Sequence, residues 1–158
     1  MNELHFISNL LLGIILGYFI GAEREARGKD AGISTHIMVI CGSSLFTLLS
    51  ATDPESKTRI AAQIVSGIGF LGAGLILKDT SSRVRNLTTA ASIWFAGAIG
   101  MALGFGYYWI AIIASAVSII VPRIPTHDEV ITFYKAILKK VFSSKKDPHR
   151  VGHEESLD

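Results

Sequence analysis

Charged residues are missing from four stretches of the chain, Leu4–Ala22, Ile33–Thr52, Ile60–Leu77 and Asn86–Pro122. Each reaches the roughly 17–25 residues that a helix needs to cross a bilayer, and the last is about twice that length. Gly104-Phe105-Gly106 is the natural break within it. The pattern therefore predicts helices near Leu4–Ala22, Ile33–Ser50, Ile60–Leu77, Leu87–Leu103 and Tyr107–Val121. The fifth would be about 22 Å long, short of a hydrocarbon core of roughly 30 Å. Either it continues through Pro122 as an irregular end, or the last pair forms a shallow hairpin. A soluble fold of this size has too little interior to hide four such stretches at once. The expected fold class is all-α, a polytopic membrane protein of about five transmembrane helices.

Composition agrees. Hydrophobic residues make up 49% of the 158 and charged ones 18%, against roughly 25% charged in soluble domains. Mean hydropathy is +0.43. These values exclude a soluble enzyme, a secreted disulfide scaffold and a nucleic-acid-binding domain. Cys41 is the single cysteine, so an intramolecular disulfide is impossible. A positively charged leader is missing before Arg24, and the first stretch is expected to stay as a permanent helix rather than a cleaved signal.

Charge also orients the chain. Arg24, Arg27 and Lys29 follow the first helix, Lys78, Arg83 and Arg85 follow the third, and seven more basic residues lie from Arg123 onward. By parity these thirteen share one side, against Lys57 and Arg59 on the other. Basic loops stay in the cytoplasm, which predicts an outside N-terminus and a cytoplasmic C-terminus.

Glycine is concentrated inside the spans. Gly13, Gly17 and Gly21 form a ridge on the first helix, Ala96, Gly100 and Gly104 repeat the spacing on the fourth, and Gly67, Gly69, Gly72 and Gly74 crowd the third. Lipid supplies no hydrophobic drive between helices, so close approach over small residues supplies the contact. Such ridges fit a compact bundle or, alternatively, self-association through the first helix. Four glycines in eight residues weaken the third helix by roughly 1 kcal/mol each relative to alanine. That helix is expected to be tightly held by neighbours or to line a path.

Several polar residues sit at the span boundaries. Glu23, Arg24 and Glu25 end the first helix, with Arg27 four residues after Glu23 and able to pair with it. Thr35 and His36 open the second helix, Arg59 and Gln63 share a face of the third, and Thr88 and Thr89 open the fourth. Amides and carboxylates at membrane depth are costly and face the bundle interior. Glu23 is thus expected to turn inward toward Thr35, His36 and Thr88, or else to pair with Arg27. His36 has no neighbouring ligand set in this topology, so neither a metal nor any other cofactor is expected. Catalytic motifs are absent, and the glycine string of the third helix lies in an apolar span without the strand that a phosphate loop requires. An enzyme is not expected.

Beyond Pro125 the composition changes. Thr126-His127-Asp128-Glu129 resembles a capping box, and Val130, Phe133, Tyr134, Ile137, Leu138 and Val141 then recur at helical spacing among lysines. The reading is a membrane part over 1–122, an amphipathic helix on the inner leaflet over 123–142, and a polar, disordered tail over 143–158.

The strings GYFIGAEREARGKDAGISTHIMV, RIAAQIVSGIGFLGAGLIL and VRNLTTAASIWFAGAIG resemble the signature blocks of the MgtC/SapB family of bacterial inner-membrane proteins. The resemblance covers roughly residues 10–120. It implies a four- or five-helix membrane domain linked to survival under magnesium limitation and inside host cells, hence to virulence. In the best-known members it also implies restraint of the F-type ATP synthase. The family's polar positions fall here on Glu23, Arg24, Gly32, Thr35, His36, Arg59, Gln63, Thr88 and Thr89. Ser34 stands where the family usually has Arg, and Asn86 where it usually has Gly. Many members carry a further cytoplasmic domain, which this chain is too short to hold. The resulting expectation is a non-enzymatic regulator that binds another membrane complex, the ATP synthase or a cation transporter, through glycine-rich helix faces. The alternative is a small oligomeric cation transporter with Glu23, Arg59 and Gln63 along its path.

Overall fold

The computed structural model describes residues 3–51, 57–78 and 84–124, together with Lys135, Ile137 and Leu138. Among these residues five helices follow one another: α1 (Glu3–Ala26), α2 (Ile33–Ser50), α3 (Lys57–Leu75), α4 (Leu87–Gly104) and α5 (Tyr108–Ile120). The architecture is that of an all-α polytopic membrane protein. Three segments, Phe6–Ala26, Ile33–Ser50 and Leu87–Gly104, are long and apolar enough to cross a bilayer. Ala61–Leu75 and Tyr108–Arg123 are apolar but shorter. The chain divides into two units, Met1–Arg123 and Ile124–Asp158, and α1 to α5 belong to the first. The amphipathic helix expected over 123–142 falls almost entirely outside the described residues, as does the tail over 143–158.

Two helix ends use the same device. Gly28 is left-handed (φ +64°), with its N–H on the Glu25 carbonyl at 2.9 Å and the Lys29 N–H on the Arg24 carbonyl at 3.0 Å. Gly106 (φ +82°) does likewise after α4, with bonds from Gly106 to Leu103 at 2.9 Å and from Tyr107 to Ala102 at 2.8 Å. These paired bonds satisfy the last helical carbonyls and reverse the chain, and glycine alone adopts such a φ without strain. Between α3 and α4 a two-residue antiparallel ladder, β1 (Leu77–Lys78) and β2 (Val84–Arg85), closes the connection.

Boundaries shift from the charge-gap reading. α1 continues one turn past Ala22, and α3 starts and stops earlier than expected. α5 ends in a 3-10 turn over Val121–Arg123, which is the irregular end through Pro122.

α2 lies between α1 and α4, α3 rests chiefly on α4, and α5 packs on α4 and α1. Leu16, Ile20, Ile40, Ala96, Ile99, Leu103 and Ala111 form the main core. Outward surfaces carry large apolar groups such as Ile7, Leu11, Phe19, Trp94 and Trp109. Much of the interior, by contrast, is small and hydroxylated, with Ser43, Ser44, Thr47, Ser92, Ser115 and Ser118 all buried. That inversion suits a lipid solvent, in which small residues let helices approach.

Candidate functional site

The extra turn of α1 sets the site. Asn9, Gly13, Gly17, Ile20 and Arg24 follow one another at steps of three or four residues, and all five are buried. Continuing the helix to Ala26 forces Arg24 onto this inward stripe. Its guanidinium is fully buried and donates from Nη2 to Thr89 Oγ1 at 3.1 Å, so the end of α1 is tied to the start of α4. The Nε and Nη1 groups of Arg24 have no hydrogen-bond partner.

Glu23 is also buried, but it looks elsewhere. Its Oε1 lies 3.6 Å from Arg27 Nη1 and 3.4 Å from Arg123 Nε, while Oε2 is buried without a hydrogen-bond partner. Arg27 donates in turn to the Pro122 carbonyl. Glu23 thereby joins α1 to the turn after α5, and its contact with Arg27 is the pairing expected from the sequence. The inward bonds to Thr35, His36 and Thr88 are not formed. Thr35 and Thr88 are exposed, because successive helical residues differ by about 100° and their neighbours His36 and Thr89 take the inward positions.

The carboxylate that serves α2 is Glu25. Its Oε1 accepts from the Ile33 N–H at 2.9 Å, satisfying one of the free donors at a helix start. Gly32 precedes that N–H, and a Cβ there would collide with the Glu25 side chain. His36 is fully buried, and its Nδ1 lies 2.9 Å from the Gly32 carbonyl. A carbonyl only accepts, so Nδ1 carries the hydrogen, and Nε2 is buried without a partner. Four helix ends are thus fastened at one junction by Glu23, Arg24, Glu25 and Thr89, with His36 buried in the first turn of α2.

Arg59 and Gln63 are not part of this junction. Both are exposed on α3, and Gln63 lines a cleft of about 530 Å³ between α2 and α3 with Phe46, Gly42, Gly67 and Leu71. Phe46 is ten residues beyond His36 on α2, about 15 Å along the helix axis.

The glycines divide the same way. At Gly17 a Cβ would stand 2.7 Å from the Ile37 Cα, and at Gly21 it would overlap the Ile33 backbone. At Gly100 it would overlap the Ile40 carbonyl, and at Gly13 it would meet Cys41 Sγ at 3.2 Å. Gly72 has Ala90 beside it at 3.6 Å, whereas Gly67, Gly69 and Gly74 face open space.

Sequence reasoning passed over three residues. Asn9 is buried and donates to the Leu103 carbonyl at 3.1 Å, at the far end of α4. Its signal is an amide in the first charge-free stretch, in phase with the glycine ridge. Glu25 is signalled by its place one turn before a left-handed glycine. Arg123 has no comparable signal, since it is separated from Glu23 by 100 residues. Among the described residues no group of three or more His, Cys, Asp or Glu side chains converges to hold a metal ion.

The sequence profile of the MgtC family matches residues 10–127. The protein MgtC of Salmonella typhimurium is 47% identical over 113 residues, covering 71% of this chain and 48% of its own. YhiD of Escherichia coli K12, named as a proposed magnesium transporter, is 43% identical over 129 residues, covering 73% and 58%. A Haemophilus influenzae protein is 36% identical over 134 residues, covering 78% and 56%. The chain thus spans about half the length of these curated relatives. No solved structure matches it.

Proposed function

This chain belongs to the MgtC family, and from that premise we propose that it is a non-enzymatic regulator in the bacterial inner membrane. In this reading it supports growth under magnesium limitation and survival inside host cells by binding another membrane complex, such as the F-type ATP synthase or a cation transporter. It is multi-pass, with the N-terminus outside and the junction of Glu23, Arg24 and His36 at the cytoplasmic edge, as the basic loops favour.

The observation that carries this reading is the use made of the polar residues. Arg24 bonds Thr89, Glu25 accepts from the start of α2, and Glu23 sits between Arg27 and Arg123. These groups hold helix ends against one another, which is the work of a scaffold that presents a fixed surface. The experiment is growth at low magnesium. Glu23→Gln removes the charge opposite Arg27 and Arg123 while keeping the size, and growth support is expected to be lost while the protein still accumulates in the membrane. Normal growth of that variant would reduce Glu23 to an interface anchor.

A second reading, cation transport, is favoured by the name of the relative YhiD. Magnesium flux into liposomes that hold only the purified protein would establish it over regulation.

A further inference from the structure

Two arginines share one carboxylate where the last turn of α1 meets the turn after α5. Arg27 Nη1 and Arg123 Nε lie 3.6 and 3.4 Å from Glu23 Oε1. The Glu23 side chain is 5% exposed, against 36% for Arg27 and 62% for Arg123, so the negative charge is enclosed and the positive charge faces outward. Arg24, beside them, is bonded to the neutral hydroxyl of Thr89, which leaves three guanidinium groups to one carboxylate. Among the described residues Arg123 donates through Nε alone, and the edge formed by its Nη1 and Nη2 has no partner.

Depth narrows what can meet these groups. The first charge-free stretch ends at Ala22, one residue before Glu23, and the last ends at Pro122, one residue before Arg123. Both arginines therefore stand at the rim where hydrocarbon gives way to headgroups. One turn deeper, Phe19 lies on the face of α1 that carries Glu23 and Arg27, and Ile120 precedes Arg123 at the end of α5. Both are exposed. We propose that Arg27 and Arg123 hold the phosphate of an anionic phospholipid, whose acyl chains run along Phe19 and Ile120. A phosphodiester has two unesterified oxygens, and the free edge of the Arg123 guanidinium matches them with two parallel N–H···O bonds. A zwitterionic lipid has the same phosphate but brings a cation against the surplus positive charge, and that repulsion selects against it. The same rim serves on either side of the membrane, so neither the orientation nor the regulatory reading bears on the site.

Native mass spectrometry of the purified protein, in detergent with equal amounts of phosphatidylglycerol and phosphatidylcholine, tests this. The wild-type chain is expected to carry phosphatidylglycerol in preference. Arg123→Gln removes the exposed fork while Glu23 keeps Arg27, and is expected to lower the preference about fivefold, the weight of one basic group near an anionic lipid surface. Arg27→Gln is expected to do the same. Lys29→Gln removes an equal charge from an exposed position just beyond α1, outside the cluster, and should leave the preference largely unchanged. Equal binding of the two lipids by the wild-type chain would overturn the proposal and favour an acidic segment of a partner protein on these arginines. Equal loss with Lys29→Gln, the mark of diffuse charge, would overturn it too. So would displacement of the lipid by millimolar inorganic phosphate, which marks a site for free anions. Monodisperse elution and helical circular dichroism check each variant before lipid is added, and an unchanged preference in a folded Arg123→Gln or Arg27→Gln chain also sinks the assignment. Neither growth nor ion flux enters the readout, so failure here leaves the regulatory reading standing.

Discussion

The ridge on α1 and the glycines of α3 look alike in sequence and differ in structure. Along α1, Gly17 and Gly21 bring the backbone of α2 to within a distance that no side chain permits. Along α3, Gly67, Gly69 and Gly74 border nothing within 4 Å. One set has its neighbour inside the molecule and the other leaves its backbone uncovered. A small-residue motif in a membrane helix therefore announces a close contact without saying whose.

The sharpest way to break this comparison is to fill both sets with the same side chain. Gly21→Leu is expected to abolish accumulation in the membrane, because the new side chain must displace the start of α2 that Glu25 and Gly32 hold in place. Gly74→Leu is expected to leave accumulation and the detergent melting temperature of the monomer unchanged. Immunoblots of membrane fractions and a thermal melt separate the two, and equal loss from both would show that α3 is as tightly enclosed as α1. Next in size is Arg24→Ala, expected to destabilise by about 1.5–3 kcal/mol through loss of a buried hydrogen bond from a charged donor. Combined with Thr89→Ala it should cost less than the sum of the two single changes, by about 0.5–3 kcal/mol. Additive melting shifts would mean that the bond between α1 and α4 contributes nothing. Glu25→Ala removes one accepted N–H at the start of α2, and about 1 kcal/mol is expected. The smallest effect is a gain. Gly69→Ala meets no neighbour and should stabilise α3 by up to about 1 kcal/mol, visible as a slightly higher melting temperature.

How far the chain could be read without coordinates follows from these cases. Gaps in charge locate helices well, since a charge inside a span is costly and its position is visible in one dimension. The direction a side chain takes is less visible, because it depends on where the helix ends. A charge-free span that stops at Ala22 leaves Glu23, Arg24 and Glu25 at the helix end with their phase open. Carrying it to Ala26 fixes each at 100° from the next, and the inward position passes from Glu23's neighbourhood to Arg24. Thr88 and Thr89 divide for the same reason. The grouping at the junction was thus legible, while the individual roles needed the helix phase. Gln63 stands out in the sequence as an unusual group for a span, but its exposure, where an inward direction is expected, and its separation from Glu23 needed the antiparallel run of α2 and α3. Arg123 needed the tertiary fold outright.

The long-range bonds of α1 also bear on how the protein is made. Asn9 and Leu103 are separated by 94 residues, and Arg24 and Thr89 by 65. A chain emerging from the ribosome delivers α1 well before either partner exists. Until α4 arrives, the first helix must therefore keep an amide and a guanidinium out of hydrocarbon, with the arginine drawn toward the headgroups and the asparagine toward the opposite surface. Its final depth and rotation are set only when the fourth helix enters. Assembly is in this sense delayed: α1 enters the membrane before both of its partners and settles only after the later of them has followed.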